Sequence, residues 1–352
     1  MRRKYQLVFS CIFLLFLVAG CNGKKAEVKK EEVAETQNVQ EVKETKNPVT
    51  VGSETSLLLK DLKENGDYVN SKEYPSLIKA SIVNENLGKN MLVVDLRTAK
   101  DFSAGHLKGA VNKKFEDLPA YFETGIKPFE YDKIIIVSED GQISSYTTCL
   151  LRLMGYGNVY SMRWGMSAWN TAYAKEGWLK GVSGKYESGL ETTVNERPSS
   201  VSMPELKTGM TTGQEIGAAR FREIFKEGTA SVLIPADEVF SNPGKFYVIN
   251  LERKDKYEDR HIPGAVRYKP EGTLGYIDEM ASIPMGKPVL VYCGTGHNSA
   301  FATAYLRLFG YDAHTLKYGN NGFMHDKMIK QRTALSWLPF STADVNNFEV
   351  VK

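Results

Sequence analysis

The stretch Val289-Leu-Val-Tyr-Cys-Gly-Thr-Gly-His-Asn-Ser299 joins an apolar run to a loop of glycine and small polar residues. Residues 288–292 predict a buried strand, and a helical pattern begins at Ser299. Cys293 therefore opens a strand-to-helix loop in which backbone N–H groups and a helix N-terminus point at one sulfur. Because such surroundings stabilise an anion, we expect a lowered pKa for the Cys293 thiol. The alternative is a small cysteine packed at the end of a strand.

Four motifs of the first half of the chain recur at a single offset of 155 residues. The pairs are Asp95-Leu-Arg97 with Asn250-Leu-Glu252, 105–111 with 260–266, 138–141 with 293–296, and 151–156 with 306–311. One offset across four separated motifs indicates two copies of one domain. The first copy has Ser138 at the position of Cys293. Since a hydroxyl without an adjacent base is a poor nucleophile, we expect the first copy to be inert in thiol chemistry.

Strands and helices alternate around these motifs in both copies. We predict strands at 91–96 and 133–137 in the first copy and at 246–251 and 288–292 in the second, with a helix after each loop. This alternation indicates an α/β fold of two tandem domains, each a mainly parallel sheet flanked by helices. Cys293 then lies beyond the carboxyl end of a strand, where reactive loops of such sheets are found.

The N-terminus has the features of a targeting segment. Arg2, Arg3 and Lys4 precede an apolar run over 7–19, which is short for a membrane span. Val18-Ala-Gly-Cys21 resembles the lipobox of bacterial lipoproteins, which implies cleavage before Cys21 and its lipidation. An ordinary secretory signal peptide is the alternative. Either way we expect the protein to leave the cytoplasm, and the lipid anchor implies the bacterial cell envelope, periplasm-facing or at the outer membrane.

Removal of residues 1–20 lowers the Lys and Arg count from 45 to 42, equal to the 42 Asp and Glu residues. Without a basic excess, we expect no nucleic-acid partner. Residues 21–50 are rich in Lys and Glu and favour a solvated tether that holds the globular part off the membrane. A helical interaction segment is the alternative.

Four cysteines occur in the chain. Cys11 leaves with the signal and Cys21 is acylated, so Cys149 and Cys293 remain as thiols. These two are not counterparts in the repeat, which argues against a structural disulfide, and Cys149 falls in a helical stretch that favours core packing. No Cys/His cluster has the spacing of metal ligands, so we expect neither a metal nor a cofactor.

Together these motifs resemble the rhodanese (sulfurtransferase) family. The resemblance rests on Asp95-Leu-Arg97, on His106 and His261 in Gly-Ala turns, on the Cys-x-x-Gly-x-x-Ser loop and on the Leu-Arg-x-x-Gly-Tyr helix end. It implies transfer of sulfane sulfur through a Cys293 persulfide, from thiosulfate, mercaptopyruvate or polysulfide to cyanide, a thiol or a protein acceptor. The implied boundaries are 51–183 for an inactive rhodanese-like domain, 184–212 for a linker and 213–345 for a catalytic one.

The resemblance implies a donor-binding loop with several departures from the family pattern. Its expected members are Gly294, Thr295, Gly296, His297, Asn298 and Ser299. Asn298 replaces a frequent arginine, so His297 is expected either to supply partial positive charge or to point into solvent. Asn250 and Glu252 stand where the family has Asp and Arg, and we expect local compensation there.

Two histidines and the segment after the last strand are further candidates for roles at the site. His106 is retained in the copy without a nucleophile, so we read His106 and His261 as turn-stabilising residues. Residues 317–321, including Lys317, Tyr318, Asn320 and Asn321, follow the last strand and could line a donor pocket. Related phosphatases on this fold have Cys-x5-Arg, and the corresponding Ser299 disfavours phosphatase or arsenate reductase activity.

Two other functions stay open beside sulfur transfer. The departures at Asn250, Glu252 and Asn298 fit a non-turnover module that binds sulfur or selenium, or an interaction module, serving an envelope redox complex. A purely structural lipoprotein is the third possibility.

Overall fold

Two five-stranded sheets, one in each half of the chain, form the framework of the computed structural model, which describes residues 49–199, 202–270, 274, 277–331 and 337–352. The strands of the first repeat are β1 (Leu77–Ile78), β2 (Met91–Asp95), β3 (Val111–Asn112), β4 (Lys133–Val137) and β5 (Val159–Met162). Those of the second repeat are β6 (Leu233–Ile234), β7 (Tyr247–Asn250), β8 (Val266–Arg267), β9 (Val289–Tyr292) and β10 (Ala313–Leu316).

Both sheets have the same topology. The strand orders are β1-β5-β4-β2-β3 and β6-β10-β9-β7-β8, and every pairing is parallel. The predicted fold class is therefore confirmed. Because β4 and β9 are central and buried on both faces, their apolar runs lack the alternation of a half-exposed strand.

Helices cover both sheets. In the first repeat they are α1 (Ser53–Glu64), α2 (Ala80–Asn86), α3 (Ala99–Ala104), α4 (Leu118–Ala120), α5 (Gln142–Leu153), α6 (Met166–Trp169), α7 (Thr171–Glu176) and α8 (Trp178–Gly181). In the second they are α9 (Gly213–Glu227), α10 (Ala236–Ser241), α11 (Lys254–Asp259), α12 (Ile277–Met280), α13 (His297–Leu308) and α14 (His325–Lys330). Helix α13 begins two residues before the predicted start, because Gly296 takes a left-handed conformation (φ 76°) and turns the chain directly into the helix.

The two repeats share one hydrophobic core within a compact unit of Asn47–Lys352. Helices α5 and α13, which follow the two equivalent loops, pack against each other between the repeats. Most residues of both helices are buried, including Leu150 of α5 and Phe301 of α13. This packing buries the N-terminal ends of both helices, and with them the loops that precede these ends.

The segments after each repeat run back over the other repeat. Glu191 pairs with His261 of the second repeat, and Val351 pairs with His106 of the first, each through two backbone hydrogen bonds. In the same C-terminal segment the carbonyl of Glu349 accepts the indole N–H of Trp169 at 2.8 Å. Each repeat is thus contacted by the segment that follows the other repeat.

The predicted signal peptide, Cys21 and nearly all of the predicted tether lie outside the described residues. Within the described part of the chain, no helix combines the length and the apolar character needed to cross a bilayer.

Candidate active site

Cys293 directly follows the central strand β9, and its sulfur lies at the N-terminal end of α13. The backbone N–H of Ser299 donates to the Cys293 Sγ at 3.4 Å, and the Ser299 hydroxyl lies 3.6 Å from the same sulfur. That hydroxyl is held by the carbonyl of Gly296 at 3.1 Å and by Thr315 at 2.6 Å. The loop therefore places a helix N–H and a fixed hydroxyl against one buried thiol, as the sequence predicts.

The predicted lowering of the Cys293 pKa is wrong. Burial raises the pKa of this thiol above its ordinary value, because only 5% of the residue is exposed and the thiolate loses its hydration. The hydroxyl and N–H of Ser299 and the N–H of Thr295 act in the opposite direction, while the Glu252 carboxyl raises the pKa further. The loop donors thus offset burial in part but do not outweigh it.

A turn after β10, the strand next to β9, packs against the Cys293 loop. Tyr318 and Gly319 both have left-handed backbone conformations. A Cβ on Gly319 would lie 2.2 Å from the carbonyl oxygen of Cys293 and 2.5 Å from the nitrogen of Gly296. Only glycine allows this approach, so the turn fixes the backbone on which the nucleophile sits.

Asparagines after that turn contact the loop directly. The backbone N–H of Asn320 donates to the Cys293 carbonyl at 3.0 Å, and the Asn321 amide donates to the Gly294 carbonyl at 2.9 Å. Tyr318 faces the first repeat instead, where its ring packs against Trp178 at 4.8 Å. The structure therefore brings Asn320 and Asn321 to the loop, as their position after β10 suggested.

Asn250 and Glu252 replace an ion pair of the first repeat with a carboxyl and amides. In the first repeat, the Arg97 Nη2 lies 2.6 Å from the Asp95 Oδ2 and both side chains are buried. In the second, the Oε2 of Glu252 accepts the amide of Asn250 at 3.3 Å and that of Asn320 at 2.9 Å. Burial raises the pKa of the Glu252 carboxyl, and the two amides lower it.

His297 lies in the interface between the repeats, and both expectations for it are wrong. Its ring is fully buried, its Nε2 accepts the backbone N–H of Trp164 at 3.1 Å, and it stacks on Trp178 with ring centroids 5.8 Å apart. Burial lowers the pKa of His297 to about 3, and the Arg163 charge acts in the same direction. The imidazole is therefore neutral near pH 7 and supplies no positive charge to the loop.

The other predicted loop residues serve mainly to hold the backbone. The Thr295 hydroxyl accepts the N–H of His297 at 3.3 Å, and the carbonyl of Asn298 accepts the Tyr74 hydroxyl at 2.7 Å. Asn298 is half-buried beside the first repeat. Gly294 borders the Glu252 carboxyl, since a Cβ built on it would lie 3.3 Å from the Glu252 Oε1.

The equivalent loop of the first repeat is closed by its own hydrogen bonds. The Ser138 Oγ accepts the N–H groups of Gly141 and Ser144 at 3.1 and 3.2 Å. Asp140, which is buried, and Glu139, which is exposed, follow it, and loss of hydration raises the pKa of both carboxyls. The loop therefore combines an unactivated hydroxyl with two neighbouring acids.

The family comparison agrees with this arrangement. The model of the rhodanese-like domain matches residues 79–172 and 238–326, which together exceed half of the chain. The chain belongs to the rhodanese-like family. It carries two tandem domains of this family, one with Ser138 and one with Cys293 in the loop after the central strand.

Individual rhodanese-like relatives match parts of the chain. Thiosulfate sulfurtransferase GlpE of Shewanella oneidensis is 34% identical over 87 residues, which cover 24% of this chain and 82% of that protein. The tRNA uridine(34) hydroxylase of Rickettsia canadensis is 28% identical over 104 residues, which cover 29% of this chain and 39% of that protein. The chain thus spans well under half of that hydroxylase.

A solved structure of a thiosulfate sulfurtransferase from Pseudomonas aeruginosa aligns with 76% of this chain and 48% of its own. Its sequence identity is 16% and its TM-score is 0.28. The family assignment and the relatives together support sulfur transfer at the level of the family.

The two turn histidines have structural contacts, as their recurrence suggested. The Nδ1 of His106 lies 2.9 Å from the Phe102 carbonyl and that of His261 lies 2.6 Å from the Tyr257 carbonyl, and each ring stacks on the same aromatic residue. Across the described residues, no group of three or more His, Cys, Asp and Glu side chains is arranged to hold a metal ion.

Proposed function

We propose that this protein is a sulfurtransferase that carries sulfane sulfur as a persulfide on Cys293. The observation that carries the proposal is the position of this thiol, which follows the central strand and receives the N–H of Ser299 at 3.4 Å. Thiosulfate, mercaptopyruvate and polysulfide are the candidate donors. A thiol, cyanide or a protein thiol is the acceptor.

The reaction needs a thiolate and no further reactant from the protein. With thiosulfate, the Cys293 thiolate bonds to the outer sulfur, the S–S bond breaks, and sulfite leaves with the electron pair. The persulfide that remains keeps its inner sulfur, the Cys293 Sγ, beside the N–H of Ser299. An acceptor then bonds to the outer sulfur and releases the thiolate. Because burial raises the pKa of Cys293, loading should be slow near pH 7 and accelerate with rising pH.

Mass spectrometry of the full chain in detergent tests this function. After incubation with each donor, intact mass should show one added sulfur that a thiol reductant removes. Cys293→Ser should abolish the adduct, while Cys149→Ser, which changes a fully buried thiol in the first repeat, should keep it. An adduct that survives in Cys293→Ser, or none with any donor in the parent protein, would refute the proposal.

A sulfur delivery module is the second candidate function. The raised pKa values of Cys293 and Glu252 favour it, because a poorly ionised thiol beside an acid suits slow transfer to one protein partner better than fast turnover. Stable persulfide formation with negligible turnover by cyanide would select this candidate.

We also propose that the protein is exported and anchored to the membrane through lipid on Cys21. The support is the sequence Val18-Ala-Gly-Cys21 after a basic and apolar leader. In a bacterial host, labelling with a fatty-acid analogue should mark the parent protein and not Cys21→Ala. Equal labelling, or equal recovery of both proteins in the soluble fraction, would contradict the anchor.

A further inference from the structure

The nucleophile loop of the second repeat has a carboxyl where the first repeat has a guanidinium. Glu252 occupies the position of Arg97, is 8% exposed, and has its Oε2 fixed by the amides of Asn250 and Asn320. Asn320 also donates its backbone N–H to the carbonyl of Cys293. The carboxyl is therefore tied to the same backbone that holds the nucleophile.

Two polar atoms close to the Glu252 carboxyl are hydrogen-bond acceptors as well. The Oδ1 atoms of Asn250 and Asn320 are buried and have no hydrogen-bond partner among the described residues. A buried acceptor without a partner costs free energy, which a ligand with an N–H or O–H group would recover. An anionic group finds no donor in these atoms and is repelled by the carboxylate.

We propose that Glu252 determines the sulfur donor by charge, selecting an alkyl persulfide whose carrier is uncharged or bears an amine over thiosulfate and other anions. This inference rests on the proposed sulfur transfer and names a donor class beyond thiosulfate, mercaptopyruvate and polysulfide. In the favoured step, the Cys293 thiolate bonds to the terminal sulfur of R–S–SH and the S–S bond breaks. R–S⁻ leaves with the electron pair, and the proton stays on the new persulfide.

Other charged groups near Glu252 oppose one another. Lys256 favours the carboxylate and Asp255 disfavours it, while Tyr292 and Cys293 are its ionisable neighbours at the end of β9 and on the loop. Burial raises the pKa of Glu252, so its charge should be lost at a higher pH than that of an exposed glutamate. Repulsion of anions should then weaken as the pH falls.

Alkylation of Cys293 measures this charge without any sulfur transfer. Iodoacetamide is neutral and iodoacetate is an anion, so the ratio of their rates cancels the ionisation of the thiol. Rates are followed on the Cys293 peptide of the full chain by mass spectrometry. Glu252→Gln should raise the relative rate of iodoacetate by about tenfold, as expected for removal of one charge several ångströms away in a partly buried site. Glu85→Gln, a change at an exposed carboxyl of the first repeat, should leave the ratio unchanged.

The same variant should shift sulfur loading toward thiosulfate relative to an uncharged alkyl persulfide. An unchanged alkylation ratio and an unchanged donor ratio would overturn the role of Glu252 while leaving sulfur transfer intact. If no donor loads the parent protein, sulfur transfer fails, and the alkylation ratio still decides the charge effect.

A measurement on the parent protein covers the case in which Glu252→Gln does not fold. The ratio of iodoacetate to iodoacetamide rates should rise as the pH is lowered from about 8 to about 5, because burial raises the pKa of Glu252 and its negative charge is lost at a higher pH than that of an exposed glutamate. A ratio that stays constant over this range would overturn the proposal.

Discussion

Gln142 and His297 occupy equivalent positions in the two repeats, and each accepts a backbone hydrogen bond from the other repeat. The Oε1 of Gln142 accepts the N–H of Tyr318 at 2.7 Å, and the Nε2 of His297 accepts the N–H of Trp164 at 3.1 Å. Each donor belongs to the turn that supports the loop of the donor's own repeat. The first repeat therefore helps to fix the turn beneath Cys293, which gives a domain without a thiol a structural role in the site.

Replacement of His297 should destabilise the protein according to whether the new side chain can accept a hydrogen bond. His297→Ala leaves the Trp164 N–H buried and unpaired, which should lower the free energy of unfolding by about 1–3 kcal/mol. His297→Gln introduces the side chain that Gln142 uses at the equivalent position and should lose less. Urea unfolding measures both, and equal losses would show that the hydrogen bond is not the stabilising contact.

The same histidine should make stability depend on pH. Its pKa is lowered to about 3 in the folded protein, so between that pH and its ordinary value the unfolded chain binds a proton that the folded protein does not. The free energy of unfolding should therefore fall by about 2 kcal/mol between pH 7.5 and 5 from this residue alone. His297→Gln should show a drop that is smaller by this amount, and identical pH dependence in both proteins would contradict the buried neutral imidazole.

The sequence was sufficient to predict the repeat, the parallel sheets and the place of Cys293, because those depend on local patterns. Strand 133–137 was predicted with its exact bounds and strand 288–292 within one residue, since apolar runs of this length fit a central strand. The helix after each loop was expected for the same reason. Such features need no knowledge of what packs against them.

The chemistry of the loop depended on contacts between distant residues and was predicted less well. Trp164 is 133 residues from His297 in the sequence, and its N–H is accepted by a buried imidazole that was expected either to supply partial positive charge or to point into solvent. The predicted direction of the Cys293 pKa shift was wrong for a related reason. Packing of α5 against α13 buries the loop, and this desolvation exceeds the effect of the helix N–H that the sequence did predict.

Loss of one partner of the buried Asp95–Arg97 ion pair should lower the free energy of unfolding strongly. Arg97→Ala leaves the Asp95 carboxylate fully buried without its partner, which should lower the free energy of unfolding by about 3–5 kcal/mol. Arg253→Ala removes an ion pair with Asp255 whose side chains are half exposed, and should cost less than about 1 kcal/mol. Chemical unfolding monitored by circular dichroism compares the two, and a similar small loss in both would contradict a structural role for the Asp95–Arg97 pair.

Introduction of a thiol should not by itself activate the first repeat. In a Cys293→Ser background, Ser138→Cys places sulfur beside the buried Asp140 and the exposed Glu139, two carboxyls that oppose a thiolate and an anionic donor. We expect no persulfide adduct with thiosulfate by intact mass. The further changes Glu139→Gly and Asp140→Thr restore the Cys-Gly-Thr-Gly order of the second repeat and should at least accelerate alkylation of the new thiol. If Ser138→Cys alone takes up sulfur as fast as the parent protein, the missing sulfur, and not the two acids, accounts for the inertness of this loop.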